Sequence, residues 1–430
     1  MISTRLADML AARGIHYGWI VAGTTFLVML ATAGAMGSAG VLVVPLEQEF
    51  GWSTAEISVA MAIRLLLFGL FGPFAAAFMN HFGIRAVVTV ALAVTASGIL
   101  LSLAMTEVWQ LILLWGFVIG IGTGMTALVL GATVAVRWFD KRRGLVVGMM
   151  TASTATGQLV FLPMLASVTE AIGWRSALVI VVIALSLVLL LALLFIRDRP
   201  ADLGLPPYGG NAIVPTPAKG TLSAMLASPV RVLRIASREP VFWVLFLTFF
   251  VCGFSTNGLV QTHWIALCGD YGIAAVSAAG ILAVIGLFDM AGTIGSGWLS
   301  DRFDNRWLLF WFYGLRGLSL LYLPLSDFSF YSLALFGVLY GLDWVATVPP
   351  TVKLSASHFG PEMAAIVFGW VFTGHQLGAA SAAFLAGASR SAFETYMPAF
   401  FGAGILCLLA ALLILTVERR PGGRLVPAAG

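Results

Sequence analysis

The sequence carries little charge. Only 10% of its 430 residues are Asp, Glu, Lys or Arg, while 60% are hydrophobic. Soluble domains hold about 25% charged residues. A core in water cannot hide this much apolar surface, so the solvent has to be lipid. Cysteine is also scarce. Cys252, Cys268 and Cys407 show neither metal-ligand spacing nor a redox pair, and read as packing residues. No Walker motif or nucleotide fold is evident, which leaves ion gradients as the energy source and implies no cofactor and no metal. Gly122-Thr123-Gly124-Met125-Thr126-Ala127 matches a dinucleotide fingerprint formally, but it lies inside an apolar run without the preceding strand that fingerprint needs. The row Gly116, Gly120, Gly124 reads instead as a close helix contact. The net charge of +4 does not point to nucleic acid, because the basic residues sit in short loops between apolar runs.

A bilayer-crossing helix needs about 20 apolar residues. Such runs lie near 18–45, 56–79, 85–105, 109–133, 144–170, 174–196, 240–264, 273–300, 307–326, 329–356, 361–388 and 395–417, twelve in all. They are apolar throughout rather than alternating, so they are helices and not barrel strands. The first run follows Arg5 and Arg13 and is too long for a signal-peptide core, so it is expected to be retained. With the N-terminus inside, only Arg175 and Arg390 fall in outer loops, and Arg64 and Arg316 fall within spans. The rest of the 23 basic residues, Lys219, Arg419, Arg420 and Arg424 among them, lie on the cytoplasmic side. The polar stretch 197–239 contains Pro200, Pro206, Pro207, Pro215 and Pro217 and reads as a linker, with a short amphipathic helix near 221–236. The expected organisation is a six-helix bundle over 1–196, a cytoplasmic linker over 197–239, and a second bundle with a short tail over 240–430.

One stretch fixes the orientation most sharply: Arg137-Trp138-Phe139-Asp140-Lys141-Arg142-Arg143-Gly144, continuing through Gly148, Ala152 and Gly157-Gln158. Gly144, Gly148 and Ala152 recur every fourth residue and share one helix face. A generic stop between two spans accounts for the charges alone. The whole string, though, resembles the signature opening the fifth helix of the monocarboxylate transporter family, within the major facilitator superfamily. In the second half, Gly297-Trp298-Leu299-Ser300-Asp301-Arg302-Phe303-Asp304-Asn305-Arg306 resembles the superfamily signature Gly-x-x-x-Asp-Arg-x-x-x-Arg. The first-half counterpart runs Asn80-His81-Phe82-Gly83-Ile84-Arg85, with Asn80 and His81 in place of the expected Asp and Arg. The resemblance implies an all-α membrane protein with twelve helices in two pseudo-symmetric six-helix bundles. It also implies a cytoplasmic gate at Asp301, Arg302, Arg306 and Arg85, with Asp301 paired to Arg302 or Arg306. A tight charged turn is the plainer alternative.

Ionisable groups inside spans are expensive and point to function. They are Arg64, Asp289, Arg316, Asp343 and His375. Asp289 has Thr293 and Ser296 below it on one helix face. Phe288-Asp289-Met290-Ala291 resembles the eighth helix of monocarboxylate transporters, whose aspartate takes part in proton coupling. That family has an arginine four residues later, where this chain has Thr293, and a first-helix lysine that has no counterpart in 18–45. Asp289 is expected to carry the proton, or else to fix packing through a salt bridge. Arg316 and Asp343 are expected to pair structurally. Arg64 is a candidate anchor for an anionic substrate, or a partner of Asp289. His375, beside Gln376 and the row Gly374, Gly378, Ala382, is a proton relay or a packing residue. Phe250, Phe254, Asn257, Gln261 and Trp264 fall on one face of the seventh helix at regular helical spacing, a surface suited to a planar solute.

The substrate-binding candidates are therefore Arg64, Asn257, Gln261, Thr293, His375 and Gln376. The implied function is secondary active transport across a bacterial cytoplasmic membrane, with both termini cytoplasmic. Proton-coupled symport of a small organic anion is one reading. Import or efflux of a larger aromatic or weakly charged solute such as a vitamin or drug is the other. A channel fits poorly with twelve spans and a linker after the sixth. The expected partners are a small-molecule substrate, protons and the lipid bilayer, without nucleic acid, and the expected state is a monomer.

Overall fold

The computed structural model of the chain describes residues 2–38, 42–52, 54–215 and 221–418. Lys219, Arg419, Arg420 and Arg424 lie outside the described residues. The chain divides into two compact units. One runs to Val146 and resumes over Ser153–Arg231, and the other holds Val147–Ala152 and everything from Val232 on. The described residues are helical throughout, apart from loops and one isolated bridge between Phe139 and Tyr208.

The first unit opens with α1 (Ile2–Ala11), α2 (Gly18–Gly37) and α3 (Val43–Phe50). The expected second span is two helices, α4 (Thr54–Leu70) and α5 (Gly72–Phe82), bent by 53°. The cause is local. Pro73 sits in the first turn of α5, where it has no N–H to give the preceding turn. α6 (Ile84–Ser102) and α7 (Val108–Leu111) follow. From α7 the chain passes through a π-helical turn over Ile112–Ile119 into α8 (Gly120–Met125). After α9 (Leu128–Trp138) come α10 (Arg143–Ile172) and α11 (Trp174–Phe195).

The loop between α9 and α10 is where the chain after α11 docks. Tyr208 N–H donates to Trp138 O at 2.7 Å, and the N–H groups of Asp140 and Lys141 both donate to Tyr208 O at 3.0 Å. The Tyr208 ring packs against Phe139, Trp19 and His16. His16 Nδ1 accepts from Gly18 N–H, so its Nε2 carries the hydrogen and donates to Pro206 O at 3.0 Å.

The second unit takes in only the end of α12 (Leu222–Ala236), from Val232 on, then α13 (Pro240–Gly253), a π-helical turn over Phe254–Gln261, and α14 (Thr262–Asp270). α15 (Ala275–Ser300), α16 (Asn305–Leu325) and α17 (Phe330–Asp343) come next. α18 (Val348–Phe393) turns sharply at Gly360, whose φ of 75° no ordinary residue adopts cheaply, and α19 (Met397–Ile414) ends the unit. The expected tenth span, 329–356, is broken between α17 and α18. Pro349 and Pro350 open the new helix, and residues 344–347 form a turn.

Among the described residues, nine helical stretches are long and apolar enough to cross a membrane, and the bent pair in the first unit adds a tenth. The stretch Phe330–Arg390 is long enough for two spans, and α10 supplies the fifth, which gives the twelve-helix membrane architecture.

Candidate functional site

The buried charges of the second unit gather at the break between α17 and α18. A broken helix leaves carbonyl and N–H groups without intrahelical partners, and in lipid each needs a replacement. Two neighbouring helices supply them, and a third meets a side chain of the turn. From α16, Arg316 Nη2 donates to the carbonyls of Asp343 and Trp344, the latter at 2.9 Å. From α15, Asp289 Oδ1 accepts from Val345 N–H at 3.0 Å, and Ser296 Oγ donates to Ala346 O. From α13, the Cys252 thiol lies 3.3 Å from Thr347 Oγ1.

Arg316 and Asp343 are brought together here. Arg316 Nε lies 2.8 Å from Asp343 Oδ2, and both side chains are buried. The guanidinium also reaches Cys252 Sγ at 3.1 Å and lies 5.6 Å from the centre of the Tyr313 ring. Asp343 Oδ1 and Tyr313 OH are buried without a hydrogen-bond partner among the described residues. Arg316 thus does two tasks, neutralising Asp343 and capping the end of α17.

Asp289 is buried. Its Oδ1 accepts from Thr293 Oγ1 at 2.8 Å and from Val345 N–H, which leaves Oδ2 outside this pair. The carboxylate can reach the turn between α17 and α18 because α15 and α17 touch closely. A Cβ on Gly292 would stand 1.9 Å from Leu342 O, so only glycine fits there. Thr293, where the resembling family has arginine, is occupied with Asp289.

His375 sits on α18 against α13, beside Cys252 and with its backbone on Gly253. Its ring stacks near Phe372 at 5.8 Å and lies 5.2 Å from Phe249, and Nδ1 is buried without a partner among the described residues. The row Gly374 and Gly378 packs on the α13 backbone, the latter against Phe250 O. Gln376 is half-buried.

The seventh span corrects one expectation. The π-helical turn over Phe254–Gln261 advances the chain by fewer degrees per residue than an α-helix, so positions beyond it rotate away from their expected face. Trp264 is fully buried, stacked on Phe336 at 5.4 Å with its Nε1 donating to Ala278 O at 3.0 Å. Gln261 is exposed and Asn257 half-buried. Phe250, Phe254, Asn257, Gln261 and Trp264 therefore do not form one continuous face.

In the first unit Arg64 is buried on α4. Its Nη1 donates to Met36 O at 3.1 Å, its Cζ lies 5.8 Å from the Trp115 ring centre, and its Nε has no partner among the described residues. Among those residues no carboxylate lies within ion-pair distance of it.

The loop charges are arranged differently from the expectation. Asp301 pairs with Lys353, whose Nζ lies 3.1 Å from Asp301 Oδ1 and donates to Ser300 O at 2.6 Å. Arg306 pairs with Asp304 at 2.8 Å and donates to Val417 O, while Arg302 lies over the Trp298 ring at 3.9 Å. In the sequence Lys353 counts only among the basic residues of the cytoplasmic side, not as a member of the gate. In the first unit Arg137 plays the matching part, with its Nη2 donating to Asn80 Oδ1 at 2.6 Å and to Met79 O at 3.1 Å. Arg85 donates to Leu193 O and its N–H to Asp198 Oδ1.

A twelve-helix membrane scaffold with hydrogen-bonded charges inside its spans defines a class, the secondary transporters. The chain belongs to the major facilitator superfamily, whose family model matches residues 24–383 and 296–430. It is similar to the MFS-type transporter YcxA of Bacillus subtilis, with 25% identity over 86% of this chain and 87% of that one. It is also similar to monocarboxylate transporter 13 of Bos taurus, with 26% identity over 93% of this chain and 89% of the relative. Among solved structures, the human organic anion transporter MFSD10 shares the fold at a TM-score of 0.73 and 16% identity, covering 92% of this chain and 99% of that one. The proton:xylose symporter XylE does so at 0.73 and 16%, covering 93% and 95%. These relatives are membrane transporters, not enzymes.

Proposed function

We propose that the protein is a proton-coupled symporter of a small organic anion of the monocarboxylate kind. In this reading it sits in a bacterial cytoplasmic membrane with both termini and the linker on the cytoplasmic side, and it works as a monomer. The observation that carries the reading is the division of labour on Asp289. Oδ1 holds the break before α18, and Oδ2 can take a proton without giving up that hold. A protonated Asp289 removes one negative charge from lipid depth, which offsets the cost of carrying an anionic substrate. Arg64, with Nε unspent, supplies a positive group for the substrate carboxylate. The names of the relatives, monocarboxylate transporters among them, agree with this chemistry.

A second reading, transport of a neutral or weakly charged solute, is favoured by one observation. Thr293 stands where the resembling family has arginine, and its hydroxyl is already committed to Asp289. Uptake into proteoliposomes under an imposed proton gradient tests both. Saturable accumulation of a short monocarboxylate, lost in Arg64→Gln, supports the first. Accumulation of uncharged aromatics with no competition by carboxylates rejects it in favour of the second.

A further inference from the structure

The helix α12 presents a face that the transport reading does not use. At about 100° per residue, Leu222, Leu226, Val230 and Leu233 fall within one sector, and the first three of them are exposed. One flank of the stripe is spent on packing, since Met225, Val232 and Ala236 are buried. On the stripe's other flank, turned away from the packed side, runs a basic edge made of the exposed Arg231 and Arg234 with Arg238 in the turn that follows. Arg231 is held along the helix by a hydrogen bond to Ala224 O at 3.0 Å, and Arg234 lies next to the apolar stripe. An apolar stripe edged by arginine is the pattern of a helix lying in a bilayer surface.

A neighbouring residue sets the depth. Trp243, in the first turn of α13, is exposed, and its Nε1 donates to Ser237 O at 2.8 Å. Tryptophan with one apolar and one hydrogen-bonded end settles at the headgroup level. Its bond to Ser237 ties the end of α12 to that level.

We infer that α12 is a membrane-surface helix whose Leu222–Leu226–Val230 stripe enters the acyl region while Arg231, Arg234 and Arg238 bind the headgroups of anionic lipid. The occupant is the lipid leaflet and not a soluble protein, because apolar and cationic edges lie side by side and match the two layers of a single anionic leaflet. Each arginine near an anionic surface strengthens its attachment about fivefold.

The test uses the full chain reconstituted in vesicles. A single cysteine at Leu226→Cys on the stripe, and another at Ala227→Cys on the basic side, each carry an environment-sensitive fluorophore. Cys252, Cys268 and Cys407 are buried, and the unsubstituted protein serves as the labelling blank. Acyl-brominated lipid should quench the Leu226→Cys label at least threefold more than the Ala227→Cys label. The quenching should be at least twofold stronger in phosphatidylglycerol vesicles than in phosphatidylcholine vesicles. Arg234→Gln with Arg238→Gln should remove that lipid dependence. If aqueous iodide reaches the Leu226→Cys label while brominated lipid does not, the stripe lies outside the bilayer and the inference fails. Equal quenching in both lipids would overturn the recognition of anionic headgroups.

Discussion

Arg316→Met is expected to be the most damaging single change among the buried charges, and the geometry sets the size. It strands the Asp343 carboxylate, and breaking a buried pair from one side costs about 3–5 kcal/mol. It also orphans the carbonyls of Asp343 and Trp344, which Arg316 Nη2 now satisfies, at about 1–3 kcal/mol each. Asp343→Asn removes the charge but keeps an oxygen for Arg316 Nε, so it should cost less. Adding Asp343→Asn to Arg316→Met should recover about 3–5 kcal/mol, the part owed to the stranded charge. The carbonyl part should remain, leaving the double variant below the parent protein. Folded yield by size-exclusion of the detergent-solubilised protein, with its thermal midpoint, gives the four corners of the cycle. A double variant as poor as the sum of the singles would refute the reasoning, because it would mean the two groups act independently.

Asp289→Asn should abolish accumulation driven by a proton gradient while counterflow exchange persists, because the amide oxygen can still accept from Thr293 and Val345 N–H; gradient-driven accumulation by the variant would remove Asp289 as proton carrier. Gly292→Ala should lower the thermal midpoint by an amount equivalent to about 1–3 kcal/mol, since its Cβ meets a backbone carbonyl. Gly295→Ala, with nothing within 4 Å of the added carbon, should be neutral by the same measurement. His16 is held below its ordinary value of 6.5 mainly by burial, with the Pro206 carbonyl opposing. The folded state then binds fewer protons than the unfolded one as pH falls below about 6.5, so docking of the linker weakens on acidification. Once corrected for the slower intrinsic exchange at acid pH, the protection of the Tyr208 N–H should fall between pH 7 and pH 5, and protection unchanged across that range would count against it.

The membrane class and the twelve spans were legible because lipid forces each crossing into a long apolar run. The residues of the buried charge system were legible for the same reason, since Arg64, Asp289, Arg316, Asp343 and His375 stand out against an uncharged background. Apart from the Arg316–Asp343 pair, their partners were not. Two spans that read as continuous are broken, and both carry the signal in plain view, Pro73 in one and Pro349-Pro350 in the other. Proline within a hydropathy window hardly lowers its average, so a count of apolar residues passes over it. The π-helical turn in the seventh span left no comparable trace, and a regular helical period projected across it put Trp264 beside Gln261.

The internal repeat is better expressed in contacts than in letters. Asn80 and Asp301 differ in charge, yet each receives a basic side chain from a later helix, Arg137 in one unit and Lys353 in the other. The opposite ends repeat as well. The only basic residues expected in outer loops, Arg175 and Arg390, pair with Glu49 and Asp270, acids near the ends of the first helical passage of each unit. Glu49 additionally accepts from Trp174 Nε1 at 2.7 Å. A cation in each half therefore clasps two helix ends at either side of the unit, while the letters around it have drifted. What persists is the need to satisfy charge and freed backbone where helices stop, and that need also explains why the broken tenth span gathers Arg316, Asp289 and Ser296 around four residues of turn. A transporter of this build has its most costly groups committed to backbone as well as to one another. Removing the Asp289 carboxylate oxygen would then loosen the junction before α18 along with the charge system around it.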